Sequence, residues 1–229
     1  MTPVPPEGLL LLDKPAGVTS HDCVDAARRA YGERSVGHLG TLDPFATGLL
    51  VVLVGRATRL ANFMDSEPKT YDATIEFGSE TDTDDVTGAI TRRAEPPDHE
   101  VVRRAVRELT GELEQVPPDY SAKQVGGRRA YSAARSGEPL VLEPVRVRVH
   151  EWRIRSLDGR HLEATIVCGG GTYVRALARD LGRAAGSAAH LAALRRTGVG
   201  AFDVRDAATL EELRAAPPPL RQLRVTANA

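Results

Sequence analysis

The first apolar run, Gly8-Leu9-Leu10-Leu11-Leu12, has no polar break and is stopped by Asp13-Lys14-Pro15, which predicts a buried strand feeding a loop. A helix is expected next. Thr19 or Ser20 can cap it, Val24, Ala27 and Tyr31 fall on one face, and Gly32 can end it. A loop rich in glycine and polar residues then runs from Gly37 to Gly48 into the apolar stretch Leu49 to Val54, a second strand expected to be buried on both faces. Asp43 therefore sits just before a core strand. Residues 69–77 alternate Tyr71, Ala73, Ile75 and Phe77 with polar or acidic positions, the pattern of a half-buried strand in an antiparallel sheet.

Further along, Val102, Ala105, Val106 and Leu109 give residues 98–109 one apolar helical face, and Pro117-Pro118 closes that region. Residues 117–141 read as an inserted, thumb-like basic loop with a short helix near Arg129 to Arg135. Val145, Val147 and Val149 alternate as a strand, and residues 152–154 and 162–167 flank Asp158-Gly159 as a hairpin. Gly169-Gly170-Gly171 opens a helix that Thr172 can cap, with Tyr173, Leu177 and Leu181 on one face, and residues 190–196 read as another short helix. With at least one hairpin and no βαβ repetition, the order predicts an α+β fold. Its central sheet should be mixed and mostly antiparallel, flanked by helices. Residues 1–216 are read as one catalytic-type domain and residues 217–229, after Pro217-Pro218-Pro219, as a frayed tail.

A length of 229 residues with 41% hydrophobic content is enough for a sizeable core. No apolar run of membrane-spanning length and no signal-like start occur, so a cytoplasmic protein is expected. Cys23 and Cys168 stand far apart in no metal-like spacing and are read as free thiols, with no metal. The net charge of −1 hides an uneven distribution. Residues 123–160 carry nine basic and four acidic side chains, whereas residues 72–88 carry six acidic and no basic ones. Each stretch is either an ordinary solvated surface or, for the basic one, a face that attracts phosphates and, for the acidic one, a face that repels them.

Two segments are dense in unusual chemistry. In Gly37-His38-Leu39-Gly40-Thr41-Leu42-Asp43-Pro44-Phe45-Ala46-Thr47-Gly48 a carboxylate stands between glycines and a proline. This is either a plain turn or a rigid support from which a carboxylate meets a closely approaching substrate. In Cys168-Gly169-Gly170-Gly171-Thr172-Tyr173-Val174-Arg175 an arginine stands early on a helix whose glycine-rich amino end favours anions, without the Gly-Lys-Ser/Thr of a P-loop. Arg175 can keep a neighbouring carboxylate ionised.

These segments, taken with Leu11-Leu12-Asp13-Lys14-Pro15-Ala16-Gly17-Val18-Thr19-Ser20, Lys69-Thr70-Tyr71, Thr81-Asp82-Thr83-Asp84, Pro117-Pro118 with Tyr120-Ser121-Ala122, and His190-Leu191-Ala192-Ala193-Leu194-Arg195-Arg196, resemble the TruB family, the bacterial tRNA pseudouridine-55 synthases. The motifs stand in family order. The resemblance implies a pseudouridine-synthase fold that needs no metal or organic cofactor, and a tRNA substrate, bound at its T stem-loop by a monomer with no obligate protein partner. It implies that Asp43 is the catalytic carboxylate, that Arg175 pairs with it, and that Tyr71 stacks on the flipped uracil and assists proton removal. It further implies that His38 lies where the extruded nucleotide leaves its stack, that Leu194 walls the base pocket, and that Lys14 and Tyr173 support the site. Arg128 and Arg129 would grip the RNA.

Two departures stand out. Many members have lysine where Gly170 stands, which would remove a phosphate contact, and bacterial members usually continue into a carboxy-terminal PUA-type domain, none of which is expected here. The chemistry implied is cleavage of the C1′–N1 bond, rotation of the base and closure of C1′ onto C5. Asp43 could attack C6, attack C1′ or remove a proton at C2′, and sequence does not choose among these. A guide-RNA-dependent synthase of the dyskerin type would share the aspartate motif, and a non-catalytic RNA-binding protein would share only the basic stretch. A zinc deaminase is excluded, because His-x-Glu and Cys-x-x-Cys are missing.

Overall fold

The computed structural model describes residues 5–64, 66–121, 123–138 and 140–222. From the amino end it forms β1 (Gly8–Lys14), α1 (Ser20–Tyr31), β2 (Val36–Leu39), β3 (Thr47–Val54), β4 (Lys69–Phe77), β5 (Ser79–Thr81), β6 (Ile90–Arg93), α2 (His99–Glu108) and β7 (Gly111–Gln115). Then come β8 (Gln124–Val125), β9 (Arg128–Arg129), α3 (Ala130–Arg135), β10 (Val145–Asp158), β11 (His161–Cys168), α4 (Val174–Ala184), β12 (Ala189–Val199), β13 (Phe202–Asp203), β14 (Ala208–Thr209) and α5 (Leu210–Ala215). A 3-10 helix, Gly55–Phe63, follows β3. Backbone proximity groups the chain into two compact units: residues up to 69 with those from 195 on, and residues 70–194.

The first unit is organised around β3. β1 runs antiparallel along one edge from Gly8↔Val54 to Lys14↔Gly48. The other edge takes β2, antiparallel from Val36↔Val54 to Leu39↔Val51, and β12, parallel at Arg195↔Thr47 and Arg196↔Gly48. The unbroken apolar runs are explained by burial on both faces. Leu10, Leu12, Leu50, Val52 and Val54 pack with Cys23, Val24, Ala27 and Leu213 of α1 and α5, while Leu9, Leu11, Leu49, Val51 and Leu53 pack with Leu39, Ala57 and Val199. Each such leucine contributes about 1.5–3 kcal/mol by leaving water. Thr19 is the cap of α1: its hydroxyl accepts from the Asp22 amide at 3.0 Å and the Asp22 carboxylate accepts from the Thr19 amide at 2.8 Å. Gly48, at φ 104°, is required by close approach, because a Cβ there would run into the Arg196 carbonyl.

The opening residues of the expected tail lie along β1. Leu9 and Arg221 exchange both backbone hydrogen bonds at 2.8 Å, and the Tyr31 hydroxyl donates to the Pro218 carbonyl at 2.6 Å. Residues 223–229 lie outside the described residues.

In the second unit Tyr71, Ala73, Ile75 and Phe77 of β4 all turn inward, as their alternation predicts. The strands follow the order β4-β11-β10-β7, with β10 antiparallel to both β11 and β7. Residues 145–158, expected as two pieces, are one strand with irregularities near His150 and Arg155 that keep the ladder going. Residues 190–196, expected as a helix, belong to β12 instead. Their Leu, Ala and Arg content favours helix, but pairing overrides propensity: Leu191 donates to the Asp84 carbonyl and accepts from the Val86 amide, both at 3.0 Å. In the basic insertion Gly126 and Gly127 both have positive φ, 58° and 80°, and turn β8 back on β9 ahead of α3.

Half of the acidic stretch lies in the interior rather than on a solvated, repelling face. Glu80, Asp84 and Asp85 are buried, and each meets an arginine of α4: Arg183 with Glu80 at 2.8 Å, Arg179 with Asp84 at 2.8 Å, and Arg175 with Asp85 at 3.7 Å. Much of the basic excess is matched as well, through Arg148 with Glu112 at 3.3 Å and Arg155 with Asp72 at 3.2 Å.

Candidate active site

In the first unit the loop between β2 and β3 presents Asp43 half-buried, and both of its flanking residues are fixed. Before it, the Leu42 amide donates to the Ser20 hydroxyl at 2.9 Å and that hydroxyl donates to the Leu42 carbonyl at 3.1 Å. After it, the Pro44 carbonyl accepts from the Gly17 amide at 2.8 Å and from the Lys14 ammonium at 3.3 Å. Lys14 is fully buried and also donates to the carbonyls of Val18 at 2.8 Å and Pro15 at 3.0 Å. Burial holds its ammonium below the usual lysine range, against the upward pull of Cys23 and Asp43. Three carbonyl dipoles offset the cost of keeping a cation there.

His38, on β2, is half-buried, and its Nδ1 is buried without a hydrogen-bond partner among the described residues. Burial, then Arg196 and His21, push its imidazole below the ordinary histidine value, which favours the neutral ring.

The second unit holds the remaining expected residues. Tyr71 is buried on the inward face of β4, and Leu194 is buried near the middle of β12. Arg175 is buried on the first turn of α4 and donates to the carbonyls of Thr83 and Tyr120, both at 2.9 Å, besides facing Asp85. Thr172 does not cap α4. Tyr173 takes the cap position, and the side-chain amide of buried Gln115 grips its peptide, accepting from the Tyr173 amide at 2.9 Å and donating to its carbonyl at 3.2 Å. On the insertion Arg128 forms an exposed ion pair with Glu138 at 3.2 Å, and Arg135 lies 5.5 Å over the exposed Tyr131 ring. The side chain of Arg129 lies outside the described residues, as does Ala122 of the Tyr120-Ser121-Ala122 motif.

Sequence reading missed Ser20 as a loop anchor, Gln115, Arg196, and the α4 arginines beyond Arg175. The α4 set had a legible signal, since Arg175, Arg179 and Arg183 recur every four residues on one helical face. Asp84 adopts φ 60°, and burial, outweighing Arg179 and Arg175, pushes its carboxyl up to about 6. Among the described residues no group of three His, Cys, Asp or Glu side chains could hold a metal ion. The first unit thus offers a carboxylate on a loop tied at both flanks, with the half-buried imidazole of His38 on the strand that leads into it. The second offers an inward tyrosine and a buried guanidinium.

Comparison with known proteins bears on both units. A family model described as TruB family pseudouridylate synthase, N-terminal domain, matches residues 28–174, and one described as tRNA pseudouridylate synthase B C-terminal domain matches residues 175–222. The chain is 50% identical over 220 residues to the tRNA pseudouridine synthase B of Thermobifida fusca (strain YX), covering 91% of this chain and 75% of that protein. It is 46% identical over 215 residues to that of Bordetella pertussis (strain Tohama I), covering 92% and 88%. Among solved structures, one described as a Cbf5-Nop10-Gar1 complex aligns at a TM-score of 0.70 and 27% identity, over 91% of this chain and 54% of that one. The chain therefore spans about half the length of that solved protein.

Proposed function

From a chain that belongs to the TruB family of pseudouridylate synthases, we infer an enzyme that isomerises uridine-55 in the T-loop of tRNA to pseudouridine, with Asp43 as its reacting carboxylate. Its mixed, mostly antiparallel strands flanked by helices are the pseudouridine-synthase fold, and its chemical class is isomerase. The observation that carries the reading of Asp43 is the pinned loop: Ser20 on one side and Lys14 with Gly17 on the other hold its neighbours, so the carboxylate is presented from a backbone tied at both flanks.

The reaction breaks C1′–N1, turns the freed uracil in place, forms C1′–C5 and removes the C5 proton. A uridine stacked in a folded loop has to be extruded first, at a cost on the order of a few kcal/mol. Stacking on the Tyr71 ring offsets about 1–3 kcal/mol of that cost. His38, whose imidazole burial holds below the ordinary histidine value, suits the place the nucleotide vacates. Arg175 supplies the positive charge that keeps Asp43 ionised, which every route open to that carboxylate requires. Leu194 closes the apolar wall, and Tyr173 sets the start of α4. Arg128 and Arg129 meet backbone phosphates, and for Arg128 the exchange is favoured by the small worth of its exposed pair with Glu138. The protein works in the cytoplasm as a monomer without a metal or organic cofactor.

The test is to incubate pure protein with a full-length tRNA transcript and map pseudouridine along it. Modification confined to position 55 is the expected result. Modification at another position, or none, overturns the assignment.

A further inference from the structure

Arg196 is the largest side chain buried to less than 2% exposure. It stands on β12 where that strand pairs in parallel with Gly48 of β3. Its guanidinium spends its donors on carbonyl oxygens. Nε donates to Leu49 at 2.8 Å, Nη2 to Gly40 at 3.1 Å and Nη1 to Thr41 at 3.4 Å. Those carbonyls have a common location. Gly40 and Thr41 are where the chain leaves β2 for the loop bearing Asp43, and Leu49 is where it has returned into β3. Placing a full cation in the interior is costly unless its donors are satisfied, so the three carbonyls are drawn to it as much as it is to them.

We propose that Arg196 is a positioning residue for the reaction, a clasp across the neck of the Asp43 loop that fixes where the carboxylate stands. This rests on the reading of Asp43 as the reacting group. A planar guanidinium fixes the mutual positions of the carbonyls it holds, whereas an ammonium's donors turn on a flexible stem and fix them less tightly. Proximity supports the arrangement: a Cβ on Gly40 would lie 3.5 Å from Nη1 of Arg196, so the loop neck is already closed down on the guanidinium. Lys14 and Gly17 reach Pro44 from β1 and its loop, while Arg196 reaches the neck from β12, so the loop is tied from two elements.

The experiment measures Arg196→Lys, Arg196→Met and Asp43→Asn in the full chain, each by thermal unfolding, by affinity for a full-length tRNA transcript, and by single-turnover pseudouridine formation. Arg196→Lys keeps the charge and loses the fork. It is expected to fold, to bind tRNA within about threefold of the native protein, and to turn over about ten- to a hundredfold more slowly, as displacement of a reacting group by an ångström does. Arg196→Met should be slower still. A folded Arg196→Lys with a native single-turnover rate overturns the clasp. Loss of folding in both variants, or loss of affinity in step with rate, assigns Arg196 to the fold alone and overturns it equally. Asp43→Asn separates the two claims: activity in that variant rejects the reading of the loop, whereas an inactive Asp43→Asn beside a native-rate Arg196→Lys rejects only the clasp.

Discussion

Tyr71 is the first of four inward-facing residues of β4, and it differs from the Ala73, Ile75 and Phe77 that follow by carrying a hydroxyl. Ring and hydroxyl can be separated by substitution. Tyr71→Phe is expected to bind tRNA with native affinity but to lose about tenfold or more of the single-turnover rate, and Tyr71→Leu to lose both. A native rate for Tyr71→Phe would leave stacking as the only role of this side chain. At this scale the sequence was informative where backbone chemistry is local. Glycines and proline around Asp43 announce a rigid loop, and Thr19, one of two candidate caps, announces α1. It was uninformative about Arg196 and Gln115, because what a buried polar side chain grips is set by tertiary neighbours: Arg196 meets Leu49 across strands 147 positions apart, and Gln115 meets the Tyr173 peptide 58 positions on.

The α4 helix and the acidic segment before it illustrate the same limit among elements. Six acids in a row of seventeen positions read as a repelling face, yet three of them are interior partners of Arg175, Arg179 and Arg183. The two halves of the pattern were both visible, and their meeting was not. Residues 190–196 were misread for a related reason: helix-favouring composition gave way to backbone pairing with Asp84 and Val86. Asp84 gives this array a measurable pH signature. Its carboxyl is raised from 3.8 to about 6, chiefly by burial, so the folded state binds that proton more tightly than the unfolded chain. The stabilisation it contributes is complete below the unfolded value and is lost as pH rises through about 6. Asp84→Asn cannot titrate. The unfolding free energy of the native protein minus that of Asp84→Asn should therefore fall by about 2 kcal/mol between about pH 4.5 and pH 7. Urea unfolding at both values checks it, and a difference that stays constant or grows contradicts the assignment.

For the whole molecule, fold class and family were legible in advance because motifs spread along the chain have to agree in order as well as in kind, and the matches over residues 28–174 and 175–222 bear that out. The grouping into two compact units was not legible, since the chain leaves the first unit near Lys69 and re-enters it at Arg195, within β4 and β12. Each unit brings part of the proposed chemistry: the first the pinned Asp43 with His38 and Lys14, the second Tyr71, Arg175, Tyr173 and Leu194. The central claim is that one carboxylate turns this family fold into a catalyst. Asp43→Asn is nearly isosteric and leaves Ser20, Lys14, Gly17 and Arg196 holding the loop through its neighbours' backbone. It should fold and bind tRNA as the native protein does. The decisive measurement is single-turnover pseudouridine formation in full-length tRNA by Asp43→Asn beside the native protein: no detectable product is the predicted result, and a rate within about tenfold of native, a barrier change under about 1.4 kcal/mol, would contradict the account.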